Sequence, residues 1–249
     1  MEFKGKVVVI HGAVNDVGRA VALDFARHQA QVILIDSDAA ALQALCAAIA
    51  GEGGQATAFT APLDDPEALD AVAGRCAQAD VLVVSPMTIK RASILESSVD
   101  SWRRVVSENL LGAVFVCRAF FPLLRRAGHG AVVHVGSIDG TLGNPTVPSY
   151  SAAKGGIAAL THVMAAEFGA QGVRVNCVAR AMMANPGEEH DPRFRPLAGQ
   201  TPLGRPALPH EVAAAVRFLA SQEASYINGV ILPVDGGRSA LTPGTFSRS

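Results

Sequence analysis

Charge is scarce in this chain and nearly balanced. Of 249 residues only 17% are Asp, Glu, Lys or Arg, and the formal net charge is −1. That balance gives no electrostatic attraction to nucleic acid and none to an anionic membrane surface. Aromatic residues are few as well, at 5%, with one Trp and two Tyr. The four cysteines, Cys46, Cys76, Cys117 and Cys177, are widely separated and form no C-x-x-C pair. Zinc is therefore not expected, nor any other metal, and apolar neighbours make each of the four a small buried hydrophobe. No unbroken apolar run reaches the ~18 residues of a membrane span. The opening residues, Met1-Glu2-Phe3-Lys4-Gly5-Lys6, lead into a strand-like run without a signal-peptide pattern. A soluble cytoplasmic protein is the default expectation.

What the chain does have is apolar residues, 49% of the total, enough for a substantial core. They fall in a regular alternation. Short apolar runs at 7–10, 32–35, 56–59, 81–84, 132–135, 173–177 and 230–232 read as strands. Longer helical patterns lie near 17–28, 38–50, 66–78, 98–127, 150–169 and 210–220. Continuously apolar strands between helices predict an α/β fold with a doubly wound parallel sheet buried on both faces. No repeat, charge block or linker breaks the pattern, so residues 1–249 read as one domain. The exception is 182–208, polar and rich in proline, which is placed as a mobile substrate lid. The tail from Ser239 to Ser249 is expected to be poorly ordered or to make oligomer contacts.

Within this frame one of the two tyrosines stands out. Tyr150 and Lys154 are four residues apart on a predicted helix, so a phenol and an ammonium share one helix face. A neighbouring cation favours the phenolate, and the hydroxyl of Ser137, just past a strand, can hold an oxygen while charge moves. These are parts of a proton-transfer site for alcohol and ketone chemistry. At the other end of the chain, the first strand runs into His11-Gly12-Ala13-Val14-Asn15-Asp16-Val17-Gly18. A glycine-containing turn opening a first helix offers backbone N–H groups and a helix N-terminus to a dinucleotide pyrophosphate. Asp36 follows the second strand, where a carboxylate can accept from ribose hydroxyls and would repel a 2′-phosphate. Neither Ser37 nor Asp38 supplies a compensating cation, so NAD is favoured over NADP. Asp36 also reads as a helix N-cap before Ala39.

In this order, together with Asn109 in the long central helix, Val175-Asn176, Thr201-Pro202-Leu203-Gly204-Arg205-Pro206 and Val234-Asp235-Gly236-Gly237, these residues resemble the classical short-chain dehydrogenase/reductase family over nearly the whole chain. The resemblance implies a single Rossmann-like domain with a seven-stranded parallel sheet flanked by helices. It implies hydride transfer between NAD(H) and a secondary alcohol or ketone, and a homotetramer built through the helices at 98–127 and 150–169. Ala152, Ala153, Gly155, Gly156 and Ala158 give that second helix faces suited to close packing. The family's tetrad maps onto Asn109, Ser137, Tyr150 and Lys154. Tyr150 would be the general acid/base, Lys154 would lower its pKa and hold the nicotinamide ribose, Ser137 would orient the substrate oxygen, and Asn109 would hold a water behind Lys154. Gly12, Asn15, Asp16, Val17, Gly18, Asp36, Ser85, Tyr150, Lys154 and Arg180 would face the cofactor.

The chain departs from the family pattern around the cofactor. His11 replaces a threonine and Asp16 a glycine of the turn. Pro62 falls where an adenine-contacting aspartate is usual, and Asp64 would take its place only with a local shift of the chain. Val84-Ser85-Pro86-Met87 stands for Asn-Asn-Ala-Gly, Arg180-Ala181 for Pro-Gly, and Asn185 for a threonine. Met87 adds bulk where glycine allows close approach to the ribose. Arg180 could bind the cofactor pyrophosphate, pair with Asp16 or Glu188, or grip an acidic substrate. With Arg193 and Arg195 it hints at a carboxylate- or phosphate-bearing ligand. Changes of this kind leave open an alternative, a divergent family member that binds a ligand, nucleotide or partner without turnover.

Overall fold

The structure is a computed structural model that describes residues 3–242. Strands β1 (Val7–His11), β2 (Gln31–Asp36), β3 (Gln55–Thr60), β4 (Val81–Val84), β5 (Ala131–Ser137), β6 (Arg174–Arg180) and β7 (Ile231–Val234) form one seven-stranded sheet in the order 3-2-1-4-5-6-7. Every pairing is parallel. The helices are α1 (Asp16–Arg27), α2 (Ala39–Gly51), α3 (Pro66–Gly74), α4 (Val99–Val106), α5 (Gly112–Arg126), α6 (Asp139–Leu142), α7 (Pro148–Gly169), α8 (Arg195–Ala198) and α9 (Pro209–Ala220).

The sheet is covered on both sides, which is why β1, β4 and β5 are buried along their whole length. Val17, Val21 and Phe25 of α1 and Val212, Val216 and Leu219 of α9 pack over Val8, Ile10 and Val32. On the opposite face Val116, Phe120 and Leu124 of α5 and Ile157, Met164 and Phe168 of α7 cover Val9, Leu82 and Val132. Each such aliphatic or aromatic side chain contributes about 1.5–3 kcal/mol on leaving water. The strand order reverses between β1 and β4, and a crevice opens there beyond the carboxyl ends of the strands.

Element boundaries differ from the sequence expectation where polar residues continue a strand. β5 and β6 run past their apolar stretches to Ser137 and Arg180, which are register partners at the sheet's carboxyl edge. Backbone ladders need no apolar side chain, so periodicity stopped short. α3 ends at Gly74, capped by Arg75, rather than continuing to 78. The long helix near 98–127 is two α-helices joined by a π-helical turn, Ser107–Leu111.

The combined stretch Val99–Arg126 is long and apolar enough on average hydropathy to cross a bilayer. A count of unbroken apolar residues misses it, because Arg118 interrupts. One helix of this kind is weak evidence for a span, and here Ala113, Val116, Cys117, Phe120 and Leu124 are buried against the sheet. The cysteine expectation holds for Cys117 and Cys177, which are buried. It fails for Cys46 and Cys76, which are half-exposed on α2 and just after α3.

Candidate active site

The β1–α1 turn is shaped by two glycines with different jobs. Gly12 has φ +78°, and a Cβ there would stand 2.7 Å from the Ser85 carbonyl. A Cβ on Gly18 would lie 2.1 Å from the Gly12 oxygen, so this glycine lets α1 meet the strand. Asn15 locks the turn. Its Nδ2 donates to the Gly12 oxygen at 2.8 Å and the Ser85 oxygen at 2.6 Å. Its Oδ1 caps α1 by accepting from Val17 N at 3.2 Å and Gly18 N at 3.1 Å. The Val17 and Gly18 N–H groups at the start of α1 are thus already bound by Asn15. Asp16 sits exposed in the first turn of α1, where a carboxylate suits the helix dipole.

Asp36 ends β2 with its carboxylate fixed by Val14 N at 3.1 Å and Ser37 N at 2.8 Å. It does not cap the next helix. Asp38 does, accepting from Ala41 N at 2.9 Å. Asp64 is held by the Ser107 hydroxyl on the π turn. His11 is fully buried, with Nε2 2.8 Å from the Leu63 oxygen. Desolvation pushes its pKa down to about 4, against smaller opposing effects of that bond and of Asp64.

The tetrad positions lie where β5, α7 and the π turn meet. Tyr150 and Lys154 are both buried, one turn apart on α7. Lys154 Nζ donates to the Pro86 and Val135 oxygens, each at 2.9 Å, and lies 5.5 Å from the centre of the Tyr150 ring. Complete burial, with Arg180 adding to it, lowers its pKa to about 7. The Ser137 hydroxyl accepts from Asp139 N at 3.1 Å. Asn109 lies in the π turn and donates to the Thr88 oxygen at 2.8 Å and the Val105 oxygen at 2.9 Å.

The cation that most affects the phenol is not the one expected. Arg180 donates from Nη2 to the Tyr150 hydroxyl at 3.2 Å and to Met87 Sδ at 2.9 Å, and from Nη1 to the Ala181 oxygen at 3.0 Å. The Tyr150 pKa is raised overall, mainly by burial. Arg180 is the largest opposing influence, Asp139 raises it further, and hydrogen bonds from Ser137 and Arg180 lower it. Lys154 is not among the influences on the phenol here: burial raises the phenol's pKa and Arg180 is the largest relieving charge.

Tyr150, Ser137 and Arg180 line a cleft of about 760 Å³. Met183, Phe194 and Leu197 from the 182–208 segment form part of its wall. Arg193 lines it as well, whereas Arg195 is exposed and is not part of the wall. Arg91 and Arg238 join the lining from distant parts of the chain, which no local motif announced.

A family model described as Enoyl-(Acyl carrier protein) reductase matches residues 12–239. The chain belongs to the short-chain dehydrogenase/reductase family. Its members are oxidoreductases that use a nicotinamide cofactor. The chain is 37% identical to meso-2,3-butanediol dehydrogenase of Serratia marcescens over 250 residues, covering 96% of this chain and 97% of that one. It is also 37% identical to galactitol 2-dehydrogenase (L-tagatose-forming) of Cereibacter sphaeroides, covering 94% of each. Among solved structures, a 3-oxoacyl-[acyl-carrier protein] reductase with bound NAD from Brucella melitensis is similar, with TM-score 0.88 and 31% identity over 95% of this chain and 92% of that one.

The residues present fit a dinucleotide. Gly12 and Gly18 keep the turn open at the backbone, and Asp36 presents a fixed carboxylate at the end of β2. Three buried polar atoms among the described residues have no hydrogen-bond partner, His11 Nδ1, Ser85 Oγ and Asn109 Oδ1, and all three belong to positions along this crevice. Buried polar groups are rarely left unpaired unless a ligand or water completes them.

Proposed function

We propose that the protein is an NAD-dependent oxidoreductase acting on a secondary alcohol or its ketone, with Tyr150 as general acid/base. The observation that carries this reading is the meeting of Ser137, Tyr150 and buried Lys154 at the carboxyl edge of the sheet, beside a cleft large enough for a small substrate. A bound nicotinamide supplies or accepts the hydride. In reduction Tyr150 gives its proton to the substrate oxygen; in oxidation it takes one. Ser137 orients that oxygen. Lys154 holds the nicotinamide ribose, and Asn109 serves a water behind Lys154. Gly12, Asn15, Asp16, Val17, Gly18 and Ser85 face the pyrophosphate and adjoining ribose.

Asp36 is the basis for NAD over NADP, since a carboxylate repels a 2′-phosphate and accepts from free hydroxyls. The relatives' diol and polyol substrates support a small secondary alcohol. Residues 1–249 act as one domain in the cytoplasm, with 182–208 as the lid. Assembly is a homotetramer through α4–α5 and α7, whose exposed Leu111 and Val163 offer apolar contact. The small residues of α7 support it less than the sequence suggested: Gly155 faces Gly140, and Gly156 faces Leu110, within the same chain.

Titration of NADH fluorescence with protein tests the reading directly. Saturable enhancement with millimolar affinity or better is expected, reversed by NAD. No response to NADH or NADPH at millimolar concentration would sink it.

A further inference from the structure

The sequence left three roles open for Arg180. One of them loses support: among the described residues Arg180 makes no ion pair with Asp16 or Glu188, and Glu188 is engaged by Arg193 and Asn185. Register with Ser137 and a hydrogen bond to Tyr150 place the guanidinium among the proton-transfer groups. Its three acceptors are a phenol, a thioether and a carbonyl, none of which carries charge. A half-buried cation without a counterion is costly unless its natural partner arrives from outside.

The surrounding charges strengthen the case. Four arginines line the cleft, Arg91, Arg180, Arg193 and Arg238, against one carboxylate, Asp139. Arg193 is paired with Glu188 at 3.6 Å and Asp191 at 3.0 Å. Arg91, Arg180 and Arg238 have no carboxylate partner among the described residues. Asp139 is within 3.4 Å of Asn144 Nδ2 and forms no ion pair among the described residues. The cleft wall is therefore net positive although the chain as a whole is not. A locally positive, partly enclosed wall concentrates anions.

We infer that the substrate carries a carboxylate on the reacting carbon or one carbon beyond it, as a 2- or 3-hydroxy acid or the matching oxo acid, and that Arg180 binds that carboxylate while Tyr150 serves the reacting oxygen. This deepens the oxidoreductase reading and rests on it. The placement follows from reach. The Arg180 Nη2 and Tyr150 hydroxyl are 3.2 Å apart, so a substrate oxygen on Tyr150 leaves a second oxygen, about one hydrogen-bond length away, within reach of the guanidinium. A carbinol oxygen and a neighbouring carboxylate oxygen have that spacing. The planar fork of a guanidinium also suits a carboxylate better than a lone hydroxyl. A neutral diol would leave the cation without a charged partner.

The test uses the full-length protein and three readouts. NADH fluorescence first establishes cofactor binding. Specificity is then measured as kcat/KM for hydroxy acids and their methyl esters, lactate with methyl lactate and 3-hydroxybutanoate with its ester. Wild type should favour at least one acid over its ester by roughly 10- to 100-fold, the worth of a charge-assisted hydrogen bond. That ratio should collapse toward one in R180Q and be partly kept in R180K. Independently of turnover, malonate should raise the melting temperature of wild type but not of R180Q. Preference for the esters by a cofactor-binding, active wild type overturns the inference, as does an acid-to-ester ratio unchanged in R180Q. If NADH does not bind, the oxidoreductase reading fails. The malonate shift then still decides whether Arg180 forms an anion site.

Discussion

The carboxyl edge of the sheet has two halves that treat space differently. Around β1 and β2 the chain stays small and close. Gly12 and Gly18 leave no room for a side chain, and Asp36 is the charged group, pinned by two backbone N–H groups. Around β4 and β6 the corresponding loops have filled in. Met87 and Arg180 touch each other, and Arg180 reaches the Tyr150 hydroxyl. The first half keeps its two close-packed glycines and its fixed carboxylate, although His11, Asp16 and Pro62 depart from the family pattern there. The second half, which under the proposed function faces the substrate, carries bulkier residues above strands that stay buried. The contrast shows that a scaffold of buried parallel strands tolerates large polar substitutions at its edge, because loop residues there carry little of the core packing.

Three perturbations sharpen this contrast, and the largest belongs to the substrate half. Tyr150→Phe keeps the ring and removes the proton donor, so turnover on any accepted substrate should fall at least ~10²-fold with little change in cofactor affinity. Full activity in that variant would move the acid/base role elsewhere. In the cofactor half, Asp36→Ala should raise the KM for NAD by roughly tenfold, as expected for the loss of hydrogen bonds to a carboxylate, while that for NADP changes less or improves. Equal changes for both would break the link between Asp36 and the ribose.

The smallest effect concerns Lys154, between the halves. Its pKa is about 7 in the folded chain against an ordinary 10.5. Between these values the unfolded chain holds the proton and the folded chain does not. Raising the pH across that window should therefore stabilise the fold, and the gain is absent below about pH 7. Urea unfolding at pH 7.5 and 9.5 should show wild type gaining more over this interval than Lys154→Met. Parallel changes in the two proteins would mean that the lysine is not shifted.

Most of the sheet was legible because buried parallel strands are written as unbroken apolar runs, and the runs at 7–10, 81–84 and 132–135 fall inside β1, β4 and β5. The closeness of Tyr150 and Lys154 was legible from helical spacing, and Asp36 from its place after a strand. What local sequence could not carry was direction and long-range contact. Nothing local decides which way Arg180 turns, and only the β5–β6 register and the seat beside Met87 aim it at Tyr150. Asn15 gave no sign that its own side chain would satisfy the N–H groups of the turn. Arg91 and Arg238 meet in one cleft although 147 positions separate them, a proximity made by the fold alone.

The widened turn at Ser107–Leu111 sets the phase of everything that follows it in the helix. Gly112, the next residue, backs onto Leu63 so tightly that a Cβ would stand 2.3 Å from its oxygen. Removing one residue from the turn would restore ordinary α geometry and rotate α5 by about 100°. A bulkier residue would then face Leu63, and the apolar stripe now against the sheet would swing toward solvent. This helix can accept new side chains more readily than a new length.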